Sequence, residues 1–403
     1  MTAIISSVPE LSALRSRPEH ELLLYCSCTC IKSQDVERIS LLLKQGMHWD
    51  YLVETARQQG VMPLLYWNLS NTFLDAMPDM LLSQLRTSFE KNAASNLCLT
   101  GELLNLLHLF QENAIPAIPF KGPILTTSVY GNLALRQFCD LDILVREQDV
   151  EHAEELLVVQ GYRLISDLLW QKQWVNVDTG VNVDLHQAVA PKDFPLLLDF
   201  ETLWERLEPV SVNGETVLSL STEDLLLILC TNVARDCWQN RGRLIQICDI
   251  AELLRVHSEI DWHQLLEQSR RLGCERMLLL SLLLAQELLG IRLKEEVLLR
   301  MQAKPVLQSL ALQVCKWLFC EIDSSSKGIE QKRFYFRVRE RLWDTLPYLI
   351  HLAHLWITPS PKDRKFIQLP VFLSLLYYFI RPIRLMGKYG LRLVKSLWFS
   401  QHH

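Results

Sequence analysis

Apolar residues recur at three- and four-residue spacings through SLLLKQGMHWDYLVETARQQG and ELLNLLHLFQENA, so residues 11–110 read as helices. Ser33 in IKSQDVERISLLL is the expected N-cap of one of them, with Glu37 in its first turn. After Pro116 the period shortens. AIPF (117–120) and CDLDILV (139–145) are short apolar runs that read as strands, and PILTTSVYGN between them makes a short helix stopping at Gly131. EQDVEHAEELLVVQGY is an amphipathic helix with acids in its first turn and Gly161 as its stop, leading into YRLISD. QKQWVNVDTGVNVDLHQAV alternates on both sides of Asp178-Thr179-Gly180 and predicts a hairpin.

The order strand, helix, strand, helix, then two or three strands makes a small α/β unit of about a hundred residues, a common domain size. From Ser221 the helical period resumes, with Ser221-Thr-Glu-Asp224 as an N-terminal signature ahead of LLLILC. The segment DSSSKG (323–328) is the candidate linker. The expected organisation is a helical region at 1–110, an α/β core at 111–215, a helical domain at 216–322, and a C-terminal helical region at 323–403 that ends in a basic tail.

Composition sharpens this picture in three places. At 403 residues and 49% hydrophobic content, the chain can bury large cores. The formal charge of -5 conceals an asymmetry: from Lys362 onward eight Lys or Arg stand against Asp363 alone, a balance of +7, which leaves -12 for the remainder. An acidic body with no evident basic groove argues against a nucleic-acid polymerase. Eleven cysteines, an odd number, and no recognisable leader segment point to a reducing cytoplasm. Cys26, Cys28 and Cys30 lack CxxC spacing and read as buried thiols in a helix rather than as metal ligands.

The tail has its own logic. FIQLPVFLSLLYYFI (366–380) is uncharged but only fifteen residues long and contains Pro370, too short to cross a bilayer comfortably. Arg381, Arg384, Lys388, Arg392 and Lys395 follow at spacings of three and four, on one helical stripe beside Leu391, Val394, Leu397 and Trp398. Such a helix suits the anionic inner face of a membrane or an acidic protein partner. The apolar segment packing against the acidic body is the alternative.

Chemistry concentrates in the α/β unit. In a strand, Asp140 and Asp142 lie on one face while Leu141, Ile143 and Val145 fill the other. Two carboxylates aimed side by side repel and raise one another's pKa, unless a cation such as Mg²⁺ sits between them. By the same parity Asn182, Asp184 and His186 share a face, so Asp184 becomes a third carboxylate. Three carboxylates can hold two Mg²⁺, the arrangement that serves phosphoryl and nucleotidyl transfer. Asp184 is then a ligand or the base, and His186 its partner or a surface residue. Lys121-Gly122 at a strand end offers a phosphate a point charge and a close backbone approach. Arg136 is a candidate second phosphate contact, and Tyr130 can stack on a base or sugar or belong to the core. Arg235, Asp236, Arg241 and Arg243 are candidates for nucleotide or acceptor contacts, or form a solvated helix face.

Lys121-Gly122, Tyr130, Arg136, Asp140-Leu-Asp142-Ile-Leu-Val, the helix ending at Gly161-Tyr162, and Val183-Asp184-Leu-His186 together resemble the uncharacterised nucleotidyltransferase family of the DNA polymerase β-like superfamily. The resemblance extends through LLLILCTNVARDCWQNRGRLIQICDIAELL and IDWHQLLEQSRRLG, covering about residues 20–290. It implies an α+β fold, a small mixed-sheet nucleotidyltransferase core flanked by N- and C-terminal helical regions. It also implies Asp140, Asp142 and Asp184 as the metal-binding triad and Lys121 and Gly122 in the loop over the phosphates. The chain departs from the superfamily at Pro123 after Gly122, in the long stretch from Pro123 to Cys139, and at Asn232, near where relatives often carry histidine.

The expected activity is transfer of a nucleoside monophosphate from an NTP to a hydroxyl of a small-molecule or saccharide-type acceptor, with two Mg²⁺ ions. The rival is a catalytically inactive nucleotide-binding scaffold with a membrane or protein partner. AMPylation of a protein hydroxyl shares the chemistry and differs in acceptor.

Overall fold

A computed structural model describes residues 17–341, apart from 192, 193, 197, 199, 240 and 320–323, together with Leu346, Thr358, Tyr377 and Tyr378. The chain divides into two units, residues 1–340 and 341–403. The basic stripe from Arg381 to Lys395 lies outside the described residues. Among those that are described, no helix is long and apolar enough to cross a membrane.

Helices α1 (Pro18–Cys26), α2 (Val36–Lys44), α3 (Trp49–Gln58), α4 (Met62–Thr72) and the long α5 (Asp79–Glu112) come first. Ser33 does not cap α2. A 3-10 turn over Ser33–Asp35 intervenes, and Asp35 precedes the α-helix instead. Helix α1 ends at Cys26, so Cys28 and Cys30 lie beyond it and only Cys26 of the trio is buried, because the chain turns out to the surface there. The ten described cysteines are free thiols.

The α/β unit follows: β1 (Ala117–Pro119), a short helix α6 (Gly122–Leu125) continued as one π-turn to Tyr130, β2 (Asp140–Val145), α7 (Val150–Val159), β3 (Tyr162–Leu168), β4 (Gln171–Asn176) and β5 (Asn182–His186). Gly131 and Gly161, both at positive φ, end the two helices where the sequence predicts. The sheet order is β1-β2-β5-β4-β3, with β2 and β5 parallel and every other pair antiparallel. The chain is thus α+β, a small mixed sheet between helical regions. One sheet face presents Leu141, Ile143, Val183 and Leu185, which pack with Leu103, Leu106 and Phe110 of α5 and with Ala153 and Leu157 of α7. The opposite face carries the carboxylates.

After α8 (Phe200–Glu205), strands β6 (Glu208–Val212) and β7 (Glu215–Ser219) make a hairpin absent from the sequence reading. Its signal was present: Asn213 and Gly214 both take positive φ, the Asn-Gly turn that matches strand twist. Helices α9 (Thr222–Trp238), α10 (Leu244–Val256), α11 (Trp262–Leu272), α12 (Glu275–Leu289), α13 (Glu295–Gln302), α14 (Val306–Phe319) and α15 (Ser324–Val338) complete the first unit. Ser221 caps α9 by accepting from the Asp224 amide, as predicted. The expected linker at 323–328 is helical from Ser324, because burial of Phe334, Tyr335 and Val338 in the same helix outweighs the weak propensity of its serines.

One apolar core joins the N-terminal helices to those after residue 221, with Leu22, Leu23 and Leu64 in the same cluster as Leu226, Leu279 and Leu310. Gln59 ties the two halves: its amide donates to Leu318 O at 2.7 Å and accepts from Leu244 N at 2.9 Å.

Candidate functional site

Alternation within β2 and β5 builds the site, and their parallel register completes it. Asp140 pairs with Asn182, Asp142 with Asp184, and Leu144 with His186. Asp142 and Asp184 therefore stand in register on adjacent strands, an unfavourable like-charge pair without a cation. Asp142, Asp184 and His186 are all buried, and one ligand atom of each lies within 4.8 Å of the others. Asp140 is half-buried, one alternation step along β2, and lies outside that tight group.

Lys121 Nζ donates to Asp142 Oδ1 at 3.1 Å, and His186 Nε2 donates to the same oxygen at 2.9 Å. His186, expected beside Asp184, thus orients Asp142, while its Nδ1 is buried with no hydrogen-bond partner. Gly122 begins α6 at φ +47°, and a Cβ there would meet the Asp140 carbonyl at 3.3 Å, so glycine lets Lys121 close onto the strand. Pro123 fits the first turn of α6, where its missing N–H has no partner to lose.

Burial raises the Asp184 pKa to about 7, helped by the charges of Asp142 and Asp140. Burial also raises Asp140, with Asp142 adding to the effect. At Asp142 burial pushes the same way, but Lys121 and His186 prevail and hold its carboxyl below the usual range. Burial keeps the His186 imidazole below its ordinary value against the pull of Asp142. The cluster is under-neutralised. Its donor set of two in-register carboxylates and an imidazole, with carboxylate-attached Lys121 already acting as a counter-ion, fits a divalent cation.

Arg136 and Tyr130 are engaged elsewhere. Arg136 pairs with Asp249 of α10 through Nε at 2.7 Å and Nη2 at 2.9 Å, and Tyr130 donates to Asp249 Oδ1 at 2.7 Å. All three are buried. Arg136, the expected phosphate contact, and Tyr130, expected to stack on a base or sugar or to belong to the core, are both bonded in this network, because a buried carboxylate demands such partners. Asn92 and Asn96 of α5 hold the same loop by donating to Arg136 O.

Two residues near the cluster escaped sequence reasoning. Gln171 donates to Asp184 Oδ2 across the β4–β5 pair. Trp170, in the turn before β4, tilts against His186 with ring centroids 5.5 Å apart and carries the Arg235 guanidinium over its face. Nothing in the alternation signals either contact, since both depend on strand neighbours and a distant helix. Asp236 accepts from Gln246 at 2.6 Å, and Arg241 and Arg243 are exposed beside α10.

A family model described as an uncharacterised nucleotidyltransferase matches residues 45–290. No curated protein matches the chain. Among solved structures, the lincomycin-bound lincosamide antibiotic adenylyltransferase LnuA is similar at 16% identity and a TM-score of 0.30, over 39% of this chain and 97% of that one. An antigenic nucleotidyltransferase-like protein from Paracoccidioides brasiliensis is similar at 17% identity and 0.30, over 55% and 97%. The antibiotic-resistance factor ANT(2'')-Ia is similar at 13% identity and 0.26, over 54% and 96%.

Proposed function

Because the chain belongs to the uncharacterised nucleotidyltransferase family, we propose that it is a Mg²⁺-dependent enzyme moving a nucleoside monophosphate from an NTP to a hydroxyl of a small-molecule or saccharide-type acceptor. The observation that carries this reading is the buried cluster of Asp142, Asp184 and His186 with Lys121 on its edge. Asp142 and Asp184 would hold the cation, with Asp140 as the further carboxylate that a second ion needs. Bound there, the metal would offset the charge of the polyphosphate.

The chain's own residues supply the rest. Lys121, once released from Asp142, binds a phosphate oxygen as a point charge, and Gly122 admits the phosphate close to the backbone. His186 Nε2 fixes the Asp142 carboxylate, and Gln171 fixes Asp184 at Oδ2. Asp184, as a ligand or as the base, is the carboxylate to which the proton of the acceptor hydroxyl passes. That oxygen bonds to the α-phosphorus as the bond to the β-phosphate oxygen breaks, and pyrophosphate leaves.

Calorimetric titration with each of the four NTPs, with and without Mg²⁺, tests the site. Metal-dependent binding that disappears in folded Asp142→Ala and Asp184→Ala supports the reading, and pyrophosphate release with hydroxyl acceptors then tests turnover. Binding that survives both substitutions would place the nucleotide elsewhere and end this assignment.

A further inference from the structure

Two cations stand beside His186, each over an aromatic ring. Lys121 Nζ lies 4.9 Å from the Phe120 centroid, and the Arg235 guanidinium carbon lies 5.2 Å from the Trp170 centroid. The two rings are 5.2 Å and 5.5 Å from the imidazole. Lys121 precedes α6 beside the sheet and Arg235 is carried by α9, so two elements distant in sequence bring positive charge onto the two rings that pack against His186.

Arg235 differs from the buried arginine of the Asp249 network. Arg136 makes two short bonds to one carboxylate, whereas Arg235 Nε meets its sequence neighbour Asp236 at 3.4 Å, in a single long contact. Its side chain is 11% exposed. A guanidinium held on an indole is positioned at little entropic cost and keeps its N–H edges for an acceptor.

We infer that Arg235, seated on Trp170, is a polyphosphate contact that works with Lys121 on an NTP, in the role that sequence spacing assigned to Arg136. This rests on the nucleotidyltransferase reading above. Trp170 is a positioning residue, acting through Arg235. The grip requires a chain of phosphates long enough to meet both cations, so it distinguishes an NTP from its NMP.

The test is calorimetry with the tightest-binding of the four NTPs and the matching NMP, in Mg²⁺, on the full chain. Arg235→Gln should bind the NTP about tenfold more weakly while NMP affinity holds, and Arg235→Lys should recover part of the loss. Trp170→Leu, which keeps the guanidinium and removes its seat, should lose about threefold on the NTP alone. It also serves if Arg235→Gln fails to fold. Equal losses on NTP and NMP, or no loss in either variant, would overturn the inference and leave the nucleotidyltransferase reading intact. A wild-type protein that binds no NTP removes that reading and this inference together, before Arg235 enters.

Discussion

Two of the buried carboxylate sites in the first unit of this chain are built on opposite principles. Asp249 is saturated: a guanidinium engages it with two bonds and the Tyr130 hydroxyl adds a third. The cluster of Asp142 and Asp184, with Asp140 beside it, has one lysine, a histidine whose imidazolium form is disfavoured by burial, and the neutral amide of Gln171. The saturated site holds the loop before β2 against α10, so the strand that carries Asp140 and Asp142 starts from a fixed point. The unsaturated site stores repulsion that a divalent cation would relieve. Burial and charge alone do not separate architecture from function here; the completeness of the partner set does.

The largest effect that would break this comparison is on Asp249. Asp249→Ala leaves the Arg136 charge buried and unpaired, and should cost about 3–5 kcal/mol in urea unfolding of the metal-free protein. A loss under 1 kcal/mol would mean the network is not the anchor described.

The opposite sign is expected at the other site. The folded pKa of Asp184, about 7, stands above the ordinary carboxylate value, so the folded state binds more protons than the unfolded one between about pH 4 and 7. The stability this confers is present below that window and is lost as pH rises through it. Asp184→Asn should therefore stabilise the metal-free protein at pH 8, on the order of 1–3 kcal/mol, and flatten its stability between pH 4 and 7. Destabilisation by this variant would contradict the under-neutralised site.

On the proposed reading the same proton sets the pH dependence of Mg²⁺ binding. Below pH 7, Mg²⁺ must displace the Asp184 proton, so its affinity should fall by up to about tenfold per pH unit, and level off above neutrality. Titration at pH 6, 7 and 8 checks this, and a flat profile would exclude Asp184 as a ligand. The smallest effect concerns Lys121, which now neutralises Asp142. Lys121→Met should raise Mn²⁺ affinity by about three- to tenfold while weakening NTP binding. Electron paramagnetic resonance of free Mn²⁺ reads the first change directly, and lower affinity in the variant would show that the ammonium does not compete.

Local pattern carried much of this protein. The alternation in CDLDILV and VNVDLH put Asp140 and Asp142 on one face of their strand and Asp184 and His186 on one face of theirs. Gly131 and Gly161 marked helix ends, and the order of elements held through the mixed sheet. These features follow from periods of two and 3.6 residues and from backbone conformations that glycine reaches most easily, all set within a few residues of chain. Arg136 shows where that reach ends: its spacing from Asp140 suggested a phosphate ligand, but Asp249 from a helix more than a hundred residues later claims it. The turn of His186 toward Asp142, the Gln171 bond to Asp184, and the seat of Arg235 on Trp170 were likewise decided in three dimensions. Sequence determined which side chains share a face, because that depends on backbone period. Tertiary structure decided which charges are satisfied and which stay available, because a partner's approach depends on strand register and on the helices packed around the sheet.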